Sequence, residues 1–182
     1  MTRGRFRASM LLSGLLLGCV SAQIVRAQSA EAPKEGLRAG QRPPSFSVED
    51  LDGASHTLED YRGQVLVLHF WASWCPFCRG EIPKLRRLHE EWAQRGVRVL
   101  AVSVDAHPDR LRQFIAQAKL PYPIVADVER QASLASVYEV SGLPTTYLIG
   151  PDGRIILETA GQFDLLDAVD HALKQKPPAS SS

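Results

Sequence analysis

The sequence predicts an α/β fold: a central mixed sheet, parallel in its core and closed by an antiparallel hairpin, with helices packed on it. Three observations carry this. Val65–Phe70 is a nearly continuous apolar run, as expected of a strand buried on both faces. A helix-periodic stretch follows, with Ile82, Leu85, Leu88 and Trp92 on one face, and then a second apolar run, Val97–Val104. Towards the C-terminus the turn Pro151-Asp152-Gly153 separates two short strand-like segments, Thr146–Ile149 and Arg154–Glu158.

The elements follow in order. Phe46, Val48 and Leu51 alternate with polar residues up to the turn pair Asp52-Gly53, and Ser55–Leu58 returns, which reads as an N-terminal β-hairpin. Gly96 ends the first long helix before Val97 begins the next strand. Pro108 and Asp109 open a second helix with Leu111, Phe114, Ile115 and Ala118 inward, and Ile124–Ala126 is a short strand after it. Ala132–Tyr138 reads as a short helix, and Phe163, Leu166, Val169 and Leu173 mark the last one. Strand–helix–strand–helix–strand followed by a hairpin gives parallel neighbours first and antiparallel ones last.

The chain of 182 residues is long enough for one domain with accessory segments. A formal net charge of +1, no Gly-rich phosphate loop and no nucleic-acid-reading motif give no reason to expect nucleic acid as a partner. The N-terminus carries the marks of targeting. Arg3, Arg5 and Arg7 form a positive region, Met10–Val20 is apolar, and Val20-Ser21-Ala22 and Val25-Arg26-Ala27 each resemble a signal-peptidase site. The apolar stretch is shorter than the ~20 residues of a spanning helix, so a secretory signal over residues 1–27 is favoured over an uncleaved anchor. A third reading is lipoprotein processing, since Leu16-Leu17-Gly18-Cys19 resembles a lipobox in which Cys19 becomes the lipidated first residue. Residues 28–42 read as a flexible tether, 43–174 as the folded domain, and 175–182 as a disordered tail.

Export leaves Cys75 and Cys78 as the cysteines of the mature domain. They lie in Trp71-Ala72-Ser73-Trp74-Cys75-Pro76-Phe77-Cys78, where a strand gives way to a helix. Two thiols at this spacing can close a small disulfide ring, reopen it and pass on two electrons. A bridge over two intervening residues constrains the unfolded chain little, which favours a redox role over a structural one. A zinc half-site is the competing reading, but zinc needs four ligands and no second C-x-x-C or paired His follows. No metal is expected, and no bound cofactor, since the cysteines themselves carry the electrons.

Phe70–Cys78, together with Gly142-Leu143-Pro144-Thr145-Thr146 downstream and Pro83 five residues after Cys78, resembles the thioredoxin superfamily, and within it the exported TlpA/ResA-like thiol–disulfide oxidoreductases. The resemblance covers about residues 43–174. It implies a thioredoxin-like fold with an N-terminal β-hairpin and an inserted helix–strand segment at 108–126. It also implies a cis peptide bond before Pro144, which leaves the backbone of Leu143 open to an extended substrate segment.

Cys75, at the start of the helix, is the expected nucleophile, because free N–H groups and the helix dipole favour its thiolate. Pro76 suits the first helical turn, and Phe77 offers shielding or an apolar docking surface. Cys78, one turn deeper, is the expected resolving thiol, so Cys75 should be exposed and Cys78 buried. The resemblance places an acid that assists proton transfer at Glu81; the bland alternative is an exposed helix charge. His69 stands where plain thioredoxin carries a buried acid and exported relatives carry an amide. It is either a proton acceptor for Cys78 or a hydrogen-bonded core histidine. Trp74 is expected beside the site. His56, His89, His107 and His171 are expected to be solvated.

The resemblance implies a dithiol reductase of protein disulfides, in the periplasm or tethered to the membrane on its outer side. Its relatives serve cytochrome c maturation or the thiols of copper-site proteins. Such a protein draws electrons from a membrane thiol carrier, and a monomer is the default. Three alternatives stand: a disulfide-forming oxidase, a thiol peroxidase (peroxiredoxins share the opening pattern at Pro44–Gly53), and a binding, chaperone or copper-carrying module without turnover.

Overall fold

The computed structural model of the protein describes residues 35–128 and 133–174. The expected targeting segment 1–27 with Cys19, the first part of the tether, and the tail 175–182 lie outside the described residues.

The N-terminal hairpin pairs β1 (Ser47–Glu49) with β2 (Ser55–Thr57), and a short 3-10 turn, Leu58–Tyr61, leads out of it. The main sheet has five strands: β3 (Val65–Trp71), β4 (Val97–Ser103), β5 (Ile124–Ala126), β6 (Thr145–Ile149) and β7 (Ile155–Ala160). Their order is β5-β4-β3-β6-β7, with β3, β4 and β5 parallel and β6 and β7 antiparallel. All seven residues of β3 are buried, as its nearly continuous apolar run requires for the central strand. The helices are α1 (Pro76–Glu91), α2 (Pro108–Ala118), α3 (Leu134–Val137) and α4 (Leu165–Lys174).

Strand alternation divides the core in two. Val65, Val67 and Trp71 point towards Leu85 and Leu88 of α1, Leu111 of α2, and Leu165, Val169 and Ala172 of α4. Leu66, Leu68 and Phe70 point the other way, to Phe46, Leu58, Tyr61, Leu134 and Tyr138. The hairpin therefore lids the second face. It is held by Asp50, whose carboxylate accepts from the backbone of Asp52 and Ala54 and pairs with His56 Nε2 at 2.8 Å, while His56 Nδ1 meets the Tyr61 hydroxyl at 2.9 Å. His56 is thus bonded on both nitrogens rather than solvated.

Three further expectations need correction. Residues 35–42, expected as the end of the tether, are docked: Gly40 N–H donates to Ile155 O (2.8 Å) and Ile155 N–H to Gln41 O (2.9 Å), so this segment pairs with the first residue of β7. The buried face of α4 is Leu165, Val169 and Ala172, with Leu166 and Leu173 only half-buried and Phe163 in the loop before it. Cys75 is nearly as buried as Cys78, at 5% and 1% exposure. Gly96 ends the loop before β4 with φ +83°, the left-handed conformation that favours glycine.

Candidate active site

β3 ends at Trp71, and four residues later the chain enters α1. Cys75 is the N-cap, with extended backbone angles, and Pro76 takes the first helical position, where no N–H is needed. Cys75 and Cys78 are joined as a disulfide, their Cα atoms 5.3 Å apart. The Cys78 N–H points at Cys75 Sγ at 3.2 Å. When the bond is reduced, this donor and the helix N-terminus favour charge on Cys75. Among the described residues the most exposed large apolar ones belong to this motif: Trp74, just before Cys75, at 64%, and Phe77, between the cysteines, at 62%. Cys75 itself is counted with the buried cluster beneath the sheet, while these neighbours face solvent.

Pro144 follows a cis bond from Leu143, at the start of β6. The Leu143 backbone makes no backbone hydrogen bond among the described residues, whereas Pro144 O accepts from Gly161 N–H at 2.7 Å. The β3–β6 register pairs Phe70 with Thr145 and His69 with Thr146, which brings this loop to the end of the strand that delivers Cys75.

Glu81 is not an exposed helix charge. The buried stripe of α1 is Cys78, Glu81, Leu85 and Leu88, so Glu81 follows Cys78 on the inner face at 1% exposure. Its Oε1 lies 3.2 Å from Lys84 Nζ, which also donates to Phe163 O at 3.0 Å. Its Oε2 is buried without a partner. The i,i+3 spacing of Glu81 and Lys84 is visible in the sequence, but only the fold shows that the pair is turned inward.

His69 lies between Val67 and Trp71 on β3, so alternation turns it to the face that holds Cys75 and Cys78. It is 1% exposed; Nδ1 meets Thr146 Oγ1 at 2.9 Å and Nε2 has no partner. Burial pushes its pKa down to about 4, so it is neutral at physiological pH. Local sequence does not name Thr146 as its partner, because cross-strand register is not written there.

The depressed His69 pKa makes stability depend on pH. Above about 6.5 the ring is neutral folded and unfolded and contributes no slope. Between about 6.5 and 4 the unfolded chain binds a proton that the native state refuses, so stability falls as pH falls, by about 3 kcal/mol over the window. Urea unfolding at pH 7 and pH 4.5 is expected to show this loss, and His69→Asn to remove most of it. An unchanged slope in the variant would mean that other groups carry the acid sensitivity.

Among the described residues no group of three or more His, Cys, Asp or Glu side chains gathers in a way that could hold a metal. No described helix is long and apolar enough to cross a membrane.

The AhpC/TSA family matches residues 39–157 of the chain. The thiol-disulfide oxidoreductase ResA of Geobacillus thermodenitrificans is 35% identical over 144 residues, 79% of this chain and 82% of that one. The crystal structure of a protein assigned as thiol:disulfide interchange protein DsbE, from Chlorobium tepidum, superimposes with a TM-score of 0.69 at 30% identity, covering 76% of this chain and 99% of that one. The exposed lipoprotein thioredoxin of Streptococcus pneumoniae superimposes with a TM-score of 0.62 at 26% identity, covering 73% and 100%.

Proposed function

The chain belongs to the AhpC/TSA family and is a thiol–disulfide oxidoreductase of thioredoxin-like fold, and from that premise we propose that it works as an exported reductase of protein disulfides. The observation that carries this is the Cys75–Cys78 pair at the N-terminus of α1, flanked by exposed Trp74 and Phe77.

In the reduced form, the Cys75 thiolate attacks one sulfur of a partner disulfide. A mixed disulfide forms and the partner's other sulfur leaves as a thiolate. Cys78 then loses its proton to Glu81, the carboxylate on the same buried stripe of α1, and attacks Cys75 Sγ. The partner leaves with both thiols reduced, and two electrons have passed from the protein to it. His69, neutral and bonded to Thr146, serves to seat β6 against β3 beneath this chemistry and offers Nε2 as a second proton position. Trp74, Phe77 and Pro76 form the apolar surface for the partner, and Leu143 and Pro144 supply open backbone beside it. The pair itself carries the electrons, so no bound cofactor is invoked.

The charged and apolar segments of residues 1–27 support export, and the lipobox-like Leu16–Cys19 supports a lipid tether, which the exposed-lipoprotein relative makes more attractive. Haem-attachment cysteines of apocytochromes, or thiols that receive copper, are the proposed targets, with a membrane thiol carrier as electron donor and a monomer as the working unit. The direction is tested by equilibrating the soluble domain with a thiol redox buffer and reading Trp fluorescence. A potential near about −270 mV supports a reductase with a dedicated donor, and one near about −120 mV would make the protein a disulfide donor instead.

A further inference from the structure

We propose that Asp105 is a positioning residue for the redox motif: with Arg79 it clamps Ser73, two residues before the nucleophile, and so sets how Cys75 meets the helix N-terminus. The inference rests on the reading of Cys75 as the attacking thiol.

Ser73 is held through every polar group it owns. Asp105 lies two residues beyond the end of β4 and is 5% exposed. Its Oδ2 accepts from Ser73 N–H at 2.8 Å and its Oδ1 from the Ser73 hydroxyl at 2.6 Å. The latter falls in the range of about 2.5–2.7 Å typical of a hydroxyl bonded to an ionised carboxylate. The carboxylate is itself fixed by the Ser103 hydroxyl at 2.6 Å, whose oxygen also takes the Asp105 N–H at 3.1 Å. On the opposite side Ser73 O accepts from Arg79 Nε at 2.6 Å. Arg79 stands on α1 with its guanidinium 5.1 Å from the centre of the Phe114 ring on α2. The next turn closes on this anchor, with Cys75 N–H donating to Ala72 O at 3.1 Å.

A connection of four residues, Ala72–Cys75, between a central strand and its helix is thus tied to the end of β4 by an anion and to α1 by a cation. Helix capping does not account for this, since Cys75 is the cap and Ser73 lies outside the helix. What the clamp fixes is the angle at which Cys75 Sγ faces the Cys78 N–H, on which stabilisation of the thiolate depends.

The two effects of Asp105 on Cys75 have opposite signs, and this makes the proposal testable. As a nearby negative charge Asp105 disfavours the thiolate, so its neutralisation alone would lower the Cys75 pKa. As a clamp it favours the thiolate, so its loss would raise that pKa. The experiment is the pH dependence of alkylation of the reduced protein by iodoacetamide, with mass spectrometry assigning the label to Cys75, on the wild type, Asp105→Asn, Ser73→Ala and Ser73→Thr. The expected result is a higher Cys75 pKa in Asp105→Asn, with the thiolate fraction at a fixed lower pH down about five- to tenfold. Ser73→Ala, which changes no charge, shifts the same way by less, and Ser73→Thr, which keeps the hydroxyl, matches the wild type. A lowered or unchanged pKa in Asp105→Asn, with only the melting temperature reduced, would overturn the proposal. Should that variant not fold, Ser73→Ala against Ser73→Thr decides alone, an equal pKa in the two overturning it. The outcome is separate from that of the reductase reading, which fails on an oxidising potential whatever the Cys75 pKa does.

Discussion

Replacing Cys78 by alanine is expected to turn the protein into a trap. Cys75 keeps its place at the N-cap of α1 and its Cys78-position N–H donor, since that donor belongs to the backbone and survives the substitution. The first step, attack on a partner disulfide, therefore proceeds. The second step has no sulfur to carry it, so the mixed disulfide accumulates and is released only by added thiol. Mass spectrometry of the variant mixed with a disulfide-bonded peptide should find one peptide adduct on Cys75. Cys75→Ser should form no adduct and lose about 10³-fold or more of the turnover, as loss of a covalent nucleophile does elsewhere.

The assignment of roles rests on place rather than on exposure. Both sulfurs are buried in the disulfide state, at 5% and 1%, so exposure barely ranks them. Cys75 is the cysteine that receives an N–H bond at the helix start and is flanked by Trp74 and Phe77, whereas Cys78 lies in the buried stripe with Glu81, Leu85 and Leu88. Adducts on Cys78 in Cys75→Ser, at wild-type rate, would reverse the two roles.

The parts of this fold legible in sequence are those written in local pattern. The nearly continuous apolar run of β3, the helical period of α1, the turn Pro151-Asp152-Gly153 and the C-x-x-C all report their own surroundings within a few residues. The docking of residues 35–42 is not legible because it runs through backbone groups at the start of β7, and a short segment of small and polar residues reads the same whether its backbone bonds are made or not. The face of α4 shifted because Leu165, Leu166, Val169, Ala172 and Leu173 offer two overlapping stripes, and only packing against the sheet chooses between them. In the site, Cys75, Cys78 and Pro144 stood in motifs, whereas the contacts of His69 with Thr146 and of Ser73 with Asp105 span 77 and 32 residues and follow from strand order alone.

Glu81→Gln is expected to separate chemistry from stability. Glu81 is a carboxylate at 1% exposure whose one partner is the ammonium of Lys84, 3.2 Å from Oε1, while Oε2 has none. Burying such a group is costly, and a neutral isostere removes that cost, provided the partner it leaves behind is not itself a buried charge. Lys84 keeps its bond to Phe163 O and is one-third exposed, so it is not stranded by the change. The variant should unfold at the same urea concentration as the wild type or above it. The reverse substitution, Lys84→Met, strands the buried carboxylate and should cost about 1–3 kcal/mol, below the full range for a broken buried pair because Lys84 is partly solvated. In catalysis the order inverts. Glutamine cannot take the Cys78 proton, so resolution of the mixed disulfide should slow by about 10²-fold or more, while the first attack by Cys75 is unaffected. Stopped-flow Trp fluorescence, with rapid acid quench to count mixed disulfide, resolves the two steps. A fold held unchanged with a selectively slowed second step is what a proton acceptor predicts. Equal resolution rates in Glu81→Gln and wild type would leave Glu81 a buried charge without a part in the reaction.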